Sequence, residues 1–224
     1  QIIPLVKQAM ERAGRKDFGI LVSPWSPPAY MKTNGEMNHG GKLREEYWKL
    51  WADYYVRYLQ ELKKEGLPVR YLTVQNEPEA VQTWDSCIYT AREEGRFAAD
   101  FLAPALRAAG LEDIQIFIWD HNKENMYDRA RESFQVPGCR EAVSGVAMHW
   151  YTGDHFDSIR AVKRAFPEQR VFFTEGCVEY SRFGDSGEVQ KAEMYAHDML
   201  GNLKAGAEAW FDWNLLLDTQ GGPN

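Results

Sequence analysis

Apolar residues follow two rhythms along the chain. Short, mostly apolar runs at Phe18-Gly19-Ile20-Leu21-Val22, Tyr71–Val74, Ile114–Ile118, Val143–Met148, Val171–Phe173 and Ala209–Phe211 are bounded by polar or turn-forming residues. Continuous rather than alternating runs mark parallel strands that are covered on both faces. Between them apolar positions recur every three or four residues. Ile2, Ile3, Val6 and Met10 precede Gly14, and Tyr47, Leu50, Trp51, Tyr54, Tyr58 and Leu62 fall in a helix predicted from about 44 to 65, which Gly66 and Pro68 stop. Further helices are predicted at 94–109, 123–134, 156–166 and 189–205. Strands near 18–23, 70–75, 114–119, 144–149, 170–174 and 208–213, alternating with these helices, define an α/β fold with a parallel sheet.

Two of the runs end in a glutamate. Val74-Gln75-Asn76-Glu77-Pro78 and Phe172-Phe173-Thr174-Glu175-Gly176 each place a carboxyl group just beyond a strand. Cleavage of a glycosidic bond needs such a pair, one carboxyl to protonate the leaving oxygen and one to attack or to activate water. A lone glutamate at a strand end more often caps a helix or pairs with an arginine. Here Asn76 and Pro78 flank the first glutamate, and aromatic, His and Asn residues close the other strands. Chemistry-bearing residues gathered at strand C-termini are the habit of (β/α)8 TIM barrels. No GxGxxG follows a strand, which argues against a dinucleotide site. A barrel of this type has eight strands and six are found, so the expected architecture is an apparently incomplete barrel, with residues 1–224 as a single catalytic domain.

Charge and cysteines narrow the partners. Lys plus Arg is 26 and Asp plus Glu is 33, so the net charge of −7 disfavours nucleic acid and anionic membranes. A neutral carbohydrate or glycolipid would be indifferent to it. Cys87, Cys139 and Cys177 are widely spaced with no CxxC, and the five His residues show neither HxH nor HExxH, so neither a metal nor any other cofactor is expected. Cys177, close to Glu175, reads as a small buried hydrophobe. No stretch approaches the roughly 18 apolar residues of a membrane span. The chain starts at Gln1, so its true N-terminus is expected to be absent. Nothing in the sequence fixes an oligomeric state.

Five segments in order carry a family resemblance: Ser23–Gly35 (SPWSPPAYMKTNG), Thr73–Ala80 (TVQNEPEA), Ala147–Asp154 (AMHWYTGD), Phe173–Cys177 (FTEGC) and Asp212–Asn224 (DWNLLLDTQGGPN). Together they resemble the catalytic barrel of glycoside hydrolase family 30, the family of glucosylceramidase and the endo-β-1,6-glucanases. The resemblance implies a retaining β-glycosidase acting on β-glucosides, of β-1,6-glucan or glucosylceramide type, through a covalent glycosyl-enzyme. It implies a chain running from the helix before the third barrel strand to the loop after the eighth. It makes Glu77 the acid/base, kept protonated by a negatively charged surrounding, and Glu175 the ionised nucleophile with more donors around it. Asn76 matches a residue that binds the sugar 2-hydroxyl, Tyr151 one that bonds the nucleophile, and His149 one that contacts the site. Trp25 and Trp213 match aromatics at the sugar, while Trp119, Trp150 and Trp210 are assigned to packing and Glu79 and Asp120 to the rim or to supporting positions behind the site. A secreted or extracytoplasmic location is favoured by the same resemblance.

Departures from the family pattern bear on the substrate. The loop Thr152-Gly153-Asp154-His155-Phe156 and the segment Glu179–Asp185 (EYSRFGD) differ from glucosylceramidase and favour the glucan-active members. The alternatives are the same chemistry on a β-xyloside, β-fucoside or β-galactan, and a carbohydrate-binding relic without activity.

Overall fold

The computed structural model describes residues 2–15 and 18–214, with only the backbone of Tyr180 and Ser181. Most of the family segment at Asp212–Asn224 therefore lies outside the described residues. The chain opens with α1 (Ile2–Ala13), β1 (Ile20–Val22), α2 (Trp48–Lys64) and β2 (Val69–Thr73). There follow α3 (Ala91–Arg96), a π-helical segment Phe97–Leu102, α4 (Ala103–Ala108) and β3 (Gln115–Asn122). The second half comprises α5 (Met126–Ser133), α6 (Cys139–Ala142), β4 (Gly145–His149), α7 (Phe156–Ala165), β5 (Arg170–Glu175), α8 (Tyr180–Phe183), α9 (Glu188–Ala205) and β6 (Ala209–Trp210). Among the described residues the six strands form one sheet in the order β1-β2-β3-β4-β5-β6. Every adjacent pair is parallel, with Leu72 opposite Ile116, Ile118 opposite Val146 and Phe173 opposite Trp210. This is a partial (β/α)8 barrel.

Both faces of the strands are buried, which explains the unbroken apolar runs. Ile116, Ile118, Val146, Met148, Val171 and Phe173 join the large core against the helices, where Trp48, Trp51, Tyr55 and Leu59 of α2 also pack. The alternate residues Phe117, Ala147 and Phe172 face the other way, with Tyr71, Ala209 and Phe211 around them. Phe117 and Phe172 stack at 4.3 Å between centroids in this inner layer. Gly145 starts β4 because a Cβ there would lie 2.3 Å from the Arg170 carbonyl oxygen and 2.8 Å from the Phe117 ring.

Three elements depart from expectation. β1 and β6 are shorter than the runs predicted, since few residues at each sheet edge have a partner. The helix over 94–109 is interrupted by the π-helical segment, just before Pro104, whose missing N–H cannot bond the carbonyl four residues back. β3 runs on past Trp119 through a bulge, where the register with β4 slips and both Trp119 (φ 76°) and Asp120 (φ 47°) are left-handed.

A buried ion pair holds that bulge. Glu94, wholly buried in α3, accepts the Trp119 backbone N–H at 2.8 Å and an Arg129 bond at 3.0 Å. Arg129 also donates to the Tyr89 carbonyl at 2.7 Å and to Glu79 at 3.1 Å. Removing Arg129 would leave Glu94 as an uncompensated buried charge. Arg129→Ala is therefore expected to cost about 3–5 kcal/mol of stability, measured by urea unfolding of the intact protein, with Arg129→Lys falling between.

Candidate active site

The C-terminal ends of β2, β3, β4 and β5 meet in a cleft of about 530 Å³. Glu77, Asn76, Tyr151, Glu175 and the indoles of Trp25 and Trp213 line it. Glu77 follows β2 with a left-handed backbone (φ 45°), unusual for a residue with a Cβ and found most at functional sites. Its N–H donates to the Asp120 carbonyl at 2.9 Å, and that of Asn76 to the Pro24 carbonyl at 2.9 Å. The bulge in β3 thus sets where the first carboxylate stands.

Of the two places expected for Asp120, the rim or a supporting position behind the cleft, the structure shows the second: it is 1% exposed and holds residues that face the cleft. Its carboxylate accepts hydrogen bonds from Ser23 of the β1 end, from Thr174 of β5 at 2.6 Å and from His149 Nε2 at 3.0 Å. Burial alone would raise its pKa, yet the His149 bond and charge, with the two hydroxyls, hold it below the usual carboxylate value. His149 reaches Glu77 Oε1 with its other nitrogen, at 3.2 Å. Burial works against an imidazolium here, but hydrogen bonds to Asp120 and Glu77 outweigh it and push the His149 pKa up to about 10.

In the free site the pKa shifts of the two glutamates run against the expected division of protons. Burial raises the Glu77 pKa, but the His149 hydrogen bond and charge, His121 and a bond from Gln82 more than offset it, and the net shift is downward. Glu175, 9% exposed, is pushed up to about 7, first by burial and then by the charges of Asp120 and Glu77, against the pull of His149. Donors crowd Glu77 rather than Glu175 because His149, tied to Asp120, turns Nδ1 to the first carboxylate. Tyr151 is where the resemblance puts it, donating from its hydroxyl to Glu175 Oε1 at 2.9 Å.

The remaining expectations divide. Trp25 and Trp213 both reach the cleft but stack on each other, 5.2 Å between centroids, so each has one face covered by the other. Trp119, Trp150 and Trp210 pack in or against the core as expected. Cys177 is half-buried and lines the cleft, with its sulfur 3.8 Å from the Tyr151 hydroxyl, rather than sitting in the core. The sequence reading missed Gln82, Trp84, His121, Asn122 and Glu179, all of which line the cleft. For His121 and Asn122 the signal was present, since the polar Asp120-His121-Asn122 continues a strand that the apolar run ended too early. Among the described residues, Glu77, His121 and His149 bring ligand-type atoms within 4.8 Å of one another. Both His149 nitrogens already serve carboxylates.

Two acidic groups facing one cleft at the C-terminal edge of a partial (β/α)8 barrel define a glycoside-hydrolase type of site. The chain matches the family model of the glycosyl hydrolase family 30 TIM-barrel domain over residues 1–224, and it belongs to that family. It is 31% identical to the lysosomal acid glucosylceramidase of Mus musculus, over 99% of this chain and 45% of that protein. It is 30% identical to an endo-1,6-β-D-glucanase of Trichoderma harzianum, over 92% of this chain and 42% of that protein. The crystal structure of SrfJ from Salmonella typhimurium superposes with a TM-score of 0.92 at 44% identity, over 99% of this chain and 49% of that one. An endo-β1,6-glucanase structure gives 0.89 at 26% identity, over 100% and 51%. The chain thus spans less than half the length of the first two relatives.

The proton on His149 is an outcome of its two carboxylate partners. Its stabilising contribution is complete below the ordinary value of 6.5 and is lost as the pH rises through about 10. Asp120→Asn removes one partner, so the His149 pKa is expected to fall, and imidazole NMR titration of the intact protein checks the direction.

Proposed function

We propose that the protein is a retaining β-glycosidase acting on β-glucosides, with Glu175 as nucleophile and Glu77 as acid/base. The observation that carries the reading is the pair itself: two carboxyl groups, Glu77 partly buried beyond β2 and Glu175 buried at the end of β5, that line one cleft and feel each other's charge. The Tyr151 hydroxyl engages Oε1 of Glu175 and leaves Oε2 for attack on the anomeric carbon. In the free site Glu77 is an anion beside an imidazolium. Moving the Nδ1 proton along the 3.2 Å bond to Oε1 converts this into a carboxylic acid beside a neutral imidazole, with the same number of protons. The leaving oxygen takes that proton as its bond to the anomeric carbon breaks and the bond to Glu175 forms. Glu77 then removes a proton from the water that hydrolyses the ester. Asn76, at the cleft wall, suits a bond to the sugar 2-hydroxyl that strengthens in the transition state.

A glucosyl unit is the element shared by the names of the mouse and Trichoderma relatives, which supports glucose over xylose, fucose or galactose. The loop at Thr152–Phe156 favours a glucan over a glycolipid. In the intact protein, Glu77→Gln is expected to lower hydrolysis of poor leaving groups by about 10²–10⁴-fold, with dinitrophenyl glucoside far less affected. Glu175→Gln is expected to abolish both, and the sugar first released by the unaltered protein to keep the β configuration. Equal losses on both substrates for Glu77→Gln, or release of the α anomer, would overturn the assignment.

A further inference from the structure

We propose that Glu77, His121 and His149 form a binding site for a zinc ion, and that the bound ion switches hydrolysis off by taking the atoms that carry the proton. The binding stands on geometry alone, while the loss of hydrolysis rests on the glycosidase reading above. Glu77 Oε1 lies 3.2 Å from His149 Nδ1 and 3.7 Å from His121 Nδ1. Two ligands on one tetrahedral zinc ion, each bonded at about 2.0–2.1 Å, stand about 3.4 Å apart. The two separations at Glu77 bracket that value. Two imidazole nitrogens and a carboxylate oxygen are a zinc donor set that leaves the fourth position to water, whereas magnesium and calcium favour oxygen ligands.

The two histidines are prepared for a metal in different ways. His121 Nδ1 is buried and has no hydrogen-bond partner among the described residues, a need that an ion would meet. Its ring lies 5.0 Å from that of Trp119, in the bulged part of β3. His149 is tied through Nε2 to Asp120 at 3.0 Å. A carboxylate behind an imidazole fixes the ring and the tautomer that a metal needs at the other nitrogen. Asp120 is in turn bonded by Ser23 and Thr174, so this ligand cannot swing away.

In the free site a proton lies between His149 Nδ1 and Glu77 Oε1. Zinc replaces it: the ion enters, that one proton leaves, and bonds form to Oε1 and to both Nδ1 atoms. The exchange adds one positive charge to negative surroundings. Glu77, Glu79 and Glu124 act on His121, and Asp120, Glu77 and Glu175 act on His149. The open cleft of about 530 Å³, which Glu77 and His121 line, is the entry path. With Oε1 and the His149 Nδ1 both on the ion, no proton passes between them and the leaving oxygen goes unprotonated.

The test titrates the intact protein with zinc chloride, reading binding by calorimetry and hydrolysis of octyl β-glucoside alongside. Hydrolysis is expected to fall as the site fills, to recover with a chelator and to be untouched by magnesium. His121→Ala removes one ligand and is expected to weaken zinc binding by about tenfold or more. His121→Asp, which offers an oxygen in place of the nitrogen, should regain part of that affinity, and melting curves establish that the variants are folded. Cys177 lines the same cleft and could hold zinc by itself, so Cys177→Ser is the control and is expected to keep the full affinity. Affinity unchanged in His121→Ala, or lost in Cys177→Ser, would overturn the site. Zinc bound through His121 without loss of hydrolysis would overturn the inhibition. Failure of the unaltered protein to cleave any glucoside would overturn the glycosidase reading, and calorimetry would still decide the metal site.

Discussion

The carboxylate of Asp120 is the constraint on which the rest of the site depends. It is buried at the C-terminal edge of the sheet, where an unpaired charge would be intolerable, and it draws its partners from separate elements. Ser23 comes from the end of β1, Thr174 from β5 and His149 from β4, while its own backbone carbonyl receives the N–H of Glu77. Thr73 of β2 in turn bonds Ser23 at 2.7 Å. Five consecutive strand ends are thereby locked to one buried anion. Satisfying that anion and positioning Glu77 and Glu175 are the same structural task.

The proton inventory follows from this arrangement. Asp120, Glu77 and Glu175 share one neighbour whose pKa is raised in their favour, His149, and the group least well served by it is the one whose pKa climbs, Glu175 at about 7. That sharing has a consequence for the double displacement proposed above, in which Glu175 attacks and Glu77 gives and takes the proton. While Glu175 carries a charge it opposes ionisation of Glu77. Once Glu175 is tied up as an ester its charge is gone, and Glu77 gives up its proton more readily. An acid in the first half of the reaction becomes a base in the second without any movement of the chain.

Much of the fold was legible in the sequence because both faces of each strand are buried. The runs at Ile114–Ile118 and Val171–Phe173 are unbroken for that reason, and the glutamates at their neighbours' ends could be read as a pair. The bulge at Trp119–Asp120 was not legible. Its left-handed backbone is imposed by Glu94 and Arg129, which lie 25 and 10 residues away in sequence (119 − 94 and 129 − 119). Without the bulge, nothing in the sequence chose between a rim and a supporting place for Asp120, and His149 had no visible reason to be charged. Cys177 was misjudged for a different reason: a thiol after a strand gives no sign of which way the loop will turn.

The loops at the cleft obey a further rule. Glu77, Asp120, His149, Tyr151 and Glu175 stand on or beside strand ends that share buried hydrogen bonds, so none can shift alone. Trp84 and Gln82 belong to a loop whose anchor is another loop, through Lys32, Ser86 and Gly40. The positive φ of Gly40 (66°) and the close approach of Val81 and Ile88 to the space its Cβ would fill fit the two together. These two loops can therefore vary as a unit, while the buried anion and the carboxylate pair stay fixed. The cleft thus joins strand ends fixed by shared buried hydrogen bonds to a wall of two loops that hold each other, and it is such loops, rather than the strands, that a barrel can vary without disturbing its core.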